Sequence, residues 1–353
     1  MDSTELRHPG PAGDGARATF ALMSFNQEEF IEEALEAALA QTYPGLEIIV
    51  SDDCSTDGTA TRIRRIVDAY TGPHSVVVNV NERNLGIGKH VNLIVRMARG
   101  RILVLAAGDD ISAPDRTAKV MDHWDSSHPR PSAVFCGARL ISRNGELLGR
   151  VEPAIARSRP TEDLILFKGL RRTLVLGACG AYDLDLFRSF GDLDPDLPIE
   201  DIPLLIRASM SNGVSYLAHD LVDYRHDSSV WKPVRKEAES RADRHRRRRL
   251  YTEARLKAAR QVLKDTHKKG DPSCIAAARK AYALHEYVHQ TCIQGRFSPR
   301  RMLATCLRTG HWLYPVASTF VDAFPRTYSL ALRVVRPLTR TTRATPARKG
   351  KAR

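Results

Sequence analysis

The feature that most constrains this 353-residue chain is an adjacent acidic pair, Asp109–Asp110, closing an apolar run over residues 102–106. The run shows no polar alternation, so it reads as a strand buried on both faces, as in a parallel sheet. Ala107 and Gly108 then lead to two carboxylates at the strand's carboxyl end, where open α/β sheets place their ligands. Two neighbouring carboxylates repel each other and favour a bound cation. A turn or helix cap would use Asp and Gly equally well, so the surrounding chain has to decide.

Ahead of the pair, strand-like stretches at 19–24, 46–50 and 76–80 alternate with helix-like stretches at 27–41, 60–70 and 89–98. The first helix carries Glu28, Glu29, Glu32 and Glu33 near its positive end and buries Phe30, Ala34, Leu35, Ala38 and Leu39. This alternation predicts a Rossmann-like α/β sheet. No G-x-G-x-x-G follows the first strand, and no G-x-x-x-x-G-K-[ST] occurs anywhere, which disfavours a dinucleotide fold or a P-loop. The strands end in acidic loops instead, notably 51–59 with Asp52, Asp53 and Asp57.

Phe25-Asn26, Gln41-Thr42-Tyr43, the 47–59 segment, Asn84-Leu85-Gly86 with Asn92, and Asp109-Asp110 together resemble the family 2 glycosyltransferases. The resemblance spans about residues 19–231. It implies a GT-A fold, a Rossmann-like mixed sheet flanked by helices, acting on a nucleotide-diphosphate sugar. It implies that Asp53 accepts a hydrogen bond from a pyrimidine N–H, with charge-assisted selectivity, and that Phe25 stacks on the base. Asn26, Asn84 and Gly86 fall at nucleotide-sugar positions, and Arg83 and Lys89 flank them with positive charge. Asp110 matches the direct metal ligand and Asp109 its partner near ribose or metal, with Mg²⁺ or Mn²⁺ suited to hard oxygen ligands.

The acceptor half is expected over 112–231, following a donor half over 18–111. Small residues at 177–181 allow close approach of a sugar, and Glu200-Asp201 opens an apolar helix from about Pro203. An inverting transferase needs a base to take the acceptor's hydroxyl proton. The resemblance assigns that role to Asp201, with Glu200 beside it; a capping pair would sit there too. Arg225 is expected as a diphosphate or fold-closing partner. His226 follows it directly, where the family leaves one residue between, so no role carries over to it.

Charge divides the chain sharply. Residues 1–231 hold 24 Lys/Arg and 33 Asp/Glu (24 − 33 = −9), and residues 232–353 hold 30 and 8 (30 − 8 = +22). Residues 1–17 are polar, lack the apolar core of a secretory leader and are expected to be disordered. Residues 232–335 are expected to form a basic, mainly helical extension, and 336–353 a disordered basic tail. Basic helices with aromatics suit an anionic membrane face over 235–335; packing on the catalytic domain, or on a second subunit in a homo-oligomer, is the alternative. Nucleic acid is disfavoured because no nucleic-acid module accompanies the arginines. The six cysteines form no CxxC pair, which points to a reducing compartment. No stretch reaches the roughly 18 uncharged apolar residues of a spanning helix.

The sequence therefore predicts a cytoplasmic, metal-assisted glycosyltransferase building a glycan or modifying a lipid-linked acceptor, with a UDP-sugar as the expected donor by family analogy and peripheral contact at the inner membrane face left open. A non-catalytic GT-A-like scaffold working through its basic helices is the competing reading.

Overall fold

In a computed structural model, residues 6–8, 17–151, 155, 160–166, 175–226, 241–294 and 298–310 are described. Expectations for the rest of the N-terminal lead-in, for 167–174, 227–240 and 311–335, and for the 336–353 tail lie outside them. The chain forms two compact units, residues 1–282 and 283–353.

The first unit is built on one ten-stranded mixed sheet. Its N-terminal half has a parallel core: β2 (Ala18–Ser24) lies between β3 (Glu47–Asp52) and β5 (Ile102–Ala107), with β4 (Ser75–Val80) beyond β3. The helices between them, α1 (Ile31–Leu39), α2 (Thr59–Asp68) and α3 (Ile87–Met97), make the crossovers that parallel strands require. Phe20, Ile48, Ile49 and Val104 are fully buried, because both faces of these strands are covered. Chain order runs outward from β2 to β4 and then jumps back to β5 on the other side of β2. The resulting crevice opens at the carboxyl ends of β2 and β5.

The sequence places the first helix from residue 27, but α1 begins at Ile31. Residues 27–30 form a turn tied to the loop before α2: the Gln27 amide donates to Thr59 Oγ1 at 2.9 Å and the Glu28 amide to Asp57 Oδ2 at 3.1 Å. Loop bonding outcompetes helix extension here. A second departure lies in the N-terminal stretch, where β1 (Leu6–His8) pairs antiparallel with β4. Edge pairing needs only backbone groups, so no side-chain pattern announces it.

Beyond β5, β6 (Ile111–Ser112) and α4 (Arg116–Ser126) lead to β7 (Ala133–Ile141) and its hairpin partner β8 (Leu147–Val151). A short helix α5 (Thr161–Ile165), a 3₁₀ turn at Gly177–Cys179, β9 (Gly180–Asp183), α6 (Asp185–Phe190), α7 (Asp201–Ser209) and β10 (Val214–Arg225) complete the half. Here β9 is antiparallel to β5 and β7, β10 is parallel to β7, and β6 pairs antiparallel with β10. Cys136, Cys179, Cys274 and Cys306 are buried free thiols.

The basic region supplies α8 (Arg241–Lys269), α9 (Pro272–Gln294) and α10 (Pro299–Thr309). Helix α8 lies within the first unit and is fastened to α7. Arg207, fully buried, donates to Asp265 through Nε at 2.8 Å and Nη2 at 3.1 Å, and to the Gly191 carbonyl at 2.8 Å. In the second unit, α10 is capped by Ser298 and ended by Gly310 in the left-handed region. Among the described residues no helix is long and apolar enough to cross a membrane.

Candidate active site

Parallel strands bring their carboxyl ends to one edge, so Ser24, Asp52, Asn81 and the 107–110 turn are neighbours. The Asp53 amide donates to the Ser24 carbonyl at 2.9 Å and the Gly108 amide to the Met23 carbonyl at 2.8 Å. Phe25, next after β2, keeps 44% of its surface exposed, unusual for a Phe and suited to stacking a flat ring.

Asn26 shapes the turn that follows β2. Its φ of 51° makes the turn, and its Oδ1 accepts from the Thr56 amide at 2.8 Å, so it shapes the loop. Asp52 has the same kind of task, accepting from Ser24 Oγ and from the Ser55 amide and hydroxyl.

Asp53 is buried and already receives three donors. Asn81 Nδ2 and the Leu85 amide reach Oδ1 at 2.8 Å each, and the Gly86 amide reaches Oδ2 at 2.9 Å. A carboxylate has about four lone-pair sites, so one remains. Gly86, at φ 76°, turns the chain into α3 and presents the amide that Asp53 holds. Arg83, Asn84 and Lys89 stand exposed along this loop.

Beneath Asp53 runs a buried polar chain that the sequence reading missed. His90 Nε2 meets Ser51 Oγ at 2.7 Å, Asn79 Nδ2 donates to Ser51 Oγ and to Asn81 Oδ1, and Asn81 donates to Asp53. Burial pushes the His90 pKa down, against the pull of the Asp53 and Asp52 charges. Polar residues inside a strand that is otherwise valine were the available signal.

The acidic pair splits into two environments. Asp109 is half-buried, whereas Asp110 is 4% exposed and accepts from the Arg225 amide at Oδ1, 2.8 Å away. Asp110 Oδ2 is buried without a hydrogen-bond donor among the described residues. Burial, and then the Asp109 charge, push the Asp110 carboxyl well above the usual range. A donorless oxygen beside a second carboxylate fits a hard cation, so the residues are compatible with Mg²⁺ or Mn²⁺. Arg116, also buried and also missed, donates to Ser112 Oγ and the Leu105 carbonyl and brings positive charge near Asp110.

Arg225, expected as a diphosphate or fold-closing partner, is engaged within the fold. Its guanidinium donates to the carbonyls of Asp109 (3.0 Å), Ser142 (3.2 Å) and Arg143 (2.5 Å) and to Glu33 Oε2 (2.8 Å), and lies 4.5 Å from the Phe30 ring centre. Four of its five N–H donors are engaged by these partners, and the residue is 2% exposed.

Glu200 and Asp201 start α7, both half-buried. Burial and the Asp201 charge push Glu200 up to about 7, and burial pushes Asp201 up to about 6, with Arg255 opposing. The loop that delivers them is clamped from both sides. Asn92 exchanges two 2.9 Å hydrogen bonds with the Leu193 backbone, and the Asp194 amide donates to Gln261 on α8 at 2.8 Å. Gly177 meets this pair face on: a Cβ there would lie 2.2 Å from Glu200 Oε1. Gly177→Ala should therefore swing the flexible Glu200 carboxylate aside at little cost in stability, while turnover falls by up to about 10²-fold, as for a roughly 1 Å misplacement. Melting and initial rates check this together; unchanged rates would mean that the Glu200 position is immaterial.

Comparison with known proteins points the same way. Residues 19–190 match the family model described as Glycosyl transferase family 2. An uncharacterized protein of Mycobacterium tuberculosis is 29% identical over 220 residues, 59% of this chain and 59% of that protein. The chondroitin synthase of Escherichia coli is 28% identical over 183 residues, 49% of this chain and 26% of that enzyme. The chain thus spans well under two thirds of either relative. Among solved structures, S. aureus TarS residues 1–349 in complex with UDP superposes with a TM-score of 0.53 at 17% identity, covering 91% of this chain and 85% of that one. A Pyrobaculum calidifontis mannosyltransferase in complex with GDP-Man and Mn²⁺ gives 0.51 at 17% identity, covering 90% of each chain. The expected GT-A fold is the fold these structures share with the chain.

Proposed function

We propose that this chain, whose residues 19–190 match the family model described as Glycosyl transferase family 2, moves a sugar from a nucleotide-diphosphate sugar, a UDP-sugar first, to a hydroxyl of a glycan or lipid-linked acceptor. The observation that carries this is the convergence of Phe25, Asp53, Asp109 and Asp110 on the crevice at the carboxyl ends of β2, β3 and β5.

Phe25 stacks the base, and the remaining lone pair of Asp53 accepts its imide N–H. That one free position explains the selectivity: a base offering an acceptor there would face a carboxylate. Arg83 and Lys89, exposed and without a hydrogen bond or ion pair among the described residues, supply positive charge for the diphosphate. Asp109 and the donorless oxygen of Asp110 would hold Mg²⁺ or Mn²⁺, which as a Lewis acid offsets charge on the departing diphosphate. Asp201 takes the acceptor's proton as its oxygen attacks from the opposite face, giving inversion. Burial keeps the Asp201 pKa high enough for a base to work near neutral pH, with Glu200 beside it.

Titration of the full chain with UDP, GDP, dTDP and CDP, with and without Mn²⁺, tests the donor side. One nucleotide should stabilise it in the presence of manganese, by about 2.7 kcal/mol at a hundredfold excess over Kd. Asp53→Asn should weaken every nucleotide that donates an imide N–H, and Asp109→Asn and Asp110→Asn should each remove the manganese dependence. No stabilisation by any nucleotide would overturn the proposal.

A further inference from the structure

Ser51 on β3 and Asn79 on β4 are register partners, and Asp53 and Asn81 follow them by two residues, the spacing that keeps side chains on one face of a sheet. Helix α3 brings His90 onto the same row, and all five residues are buried. The donors and acceptors along the row can be put in order. Asn79 Nδ2 has two hydrogens, which Ser51 Oγ at 2.9 Å and Asn81 Oδ1 at 2.8 Å accept. Asn81 therefore shows its oxygen to Asn79 and its own NH₂ to Asp53 Oδ1, 2.8 Å away. Besides Asn79, the Ser51 side chain meets one other group among the described residues, His90 Nε2 at 2.7 Å. The hydroxyl hydrogen goes there, so Nε2 is the bare nitrogen of a neutral ring. Donation thus runs outward from Asn79 in both directions, to His90 through Ser51 and to Asp53 through Asn81.

We propose that His90 is a positioning residue for base recognition: by accepting from Ser51 it fixes the Asn79 and Asn81 amides, which keep Asp53 Oδ1 occupied and leave Oδ2 to read the base. This rests on the nucleotide-sugar reading and names what sets its specificity. Asp53 Oδ1 takes two donors, Asn81 Nδ2 and the Leu85 amide, whereas Oδ2 takes only the Gly86 amide among the described residues. The open lone pair therefore belongs to Oδ2. Without an acceptor at position 90, the Ser51 hydroxyl donates to Asn79 instead. The Asn79 amide then turns its oxygen towards Ser51 and Asn81, and Asn81 is left with its own oxygen facing a carboxylate. Asp53 loses a donor, and its two oxygens no longer divide the work. A charged imidazole would act in the same way, because it has no acceptor to offer. Burial, which pushes the His90 pKa down, keeps the ring neutral. Apolar residues of the same shape could replace the row at little cost in stability, so packing alone does not call for it.

The experiment is a double-mutant cycle on UDP affinity, measured by calorimetry on the full chain with manganese. CDP is the control, because its ring nitrogen accepts where that of uracil donates. His90→Leu should weaken UDP about tenfold, the size of one lost charge-assisted hydrogen bond, and leave CDP unchanged. In the Asp53→Asn background it should weaken UDP no further, because the effect runs through that carboxylate. His90→Gln, which can place an acceptor oxygen near the Nε2 position, should bind UDP as the wild type does. Ser51→Ala breaks the same link with less change in packing and should repeat the His90→Leu result, which closes the cycle even where His90→Leu does not fold. Equal weakening of UDP and CDP, or additive losses in the cycle, would overturn the inference and make His90 an ordinary core residue. A wild-type chain with no preference for UDP over CDP would instead overturn the reading of Asp53 on which it stands.

Discussion

Asp201→Asn should leave manganese-dependent nucleotide binding intact and lower sugar transfer by about 10²–10⁴-fold, the range for removing a positioned general base. Asparagine keeps the shape, and its Oδ1 can still accept from the Ile202 amide, as Asp201 Oδ1 does at 2.7 Å. Only proton acceptance is lost. The wild-type pH profile carries the same signature. A base has to be deprotonated, and the Glu200–Asp201 pair is pushed up to about 7 and about 6, so kcat/KM should fall as pH drops through that interval. The two acids titrate as a pair, so the limb belongs to both. Stability should respond in the opposite sense. Carboxyls with raised folded-state pKa values favour folding while protonated, and that contribution fades as pH rises towards 7. Near-normal transfer by Asp201→Asn would sink the assignment of the base.

Arg207→Leu should destabilise the first unit by about 3–5 kcal/mol, the cost of leaving a buried charge without its partner. Asp265 is 1% exposed at its side chain and would keep, among the described residues, only Gln261 Nε2, 2.9 Å from Oδ1. The Gly191 and Asp192 carbonyls lose a donor as well. Adding Asp265→Leu should recover much of the loss, because removing both charges also removes the need to solvate them. Urea unfolding of the single and double variants measures both quantities. A loss below about 1 kcal/mol in the single variant would place the pair with ordinary surface salt bridges.

The donor half was the more legible part. Its strands are uninterrupted apolar runs, and each ends in a short acidic or Asn-Gly loop, so strand ends and ligand edge could be read together. Asp53, Asp109 and Asp110 were found that way. What their atoms bond to was hidden, since three of Asp53's partners come from residues 28 to 33 positions later. Nor could the sequence show the long-range bonds that Asn26 makes to Thr56 and Arg225 makes to Ser142 and Glu33. Arg207 and Asp265 are 58 residues apart, across the change from acidic to basic composition. That compositional break made α8 look like an appendage, whereas it packs into the fold that carries Asp201.

Arg225 also bears on the order in which the molecule can become competent. The last residue of β10 supplies the amide that Asp110 accepts and ties together Glu33, Asp109 and the 142–143 turn, elements that are consecutive in space but span nearly two hundred positions of chain. A nascent chain can therefore complete its first four parallel strands long before its acidic pair is set. Until the final strand emerges and closes, the crevice has its walls but lacks its latch.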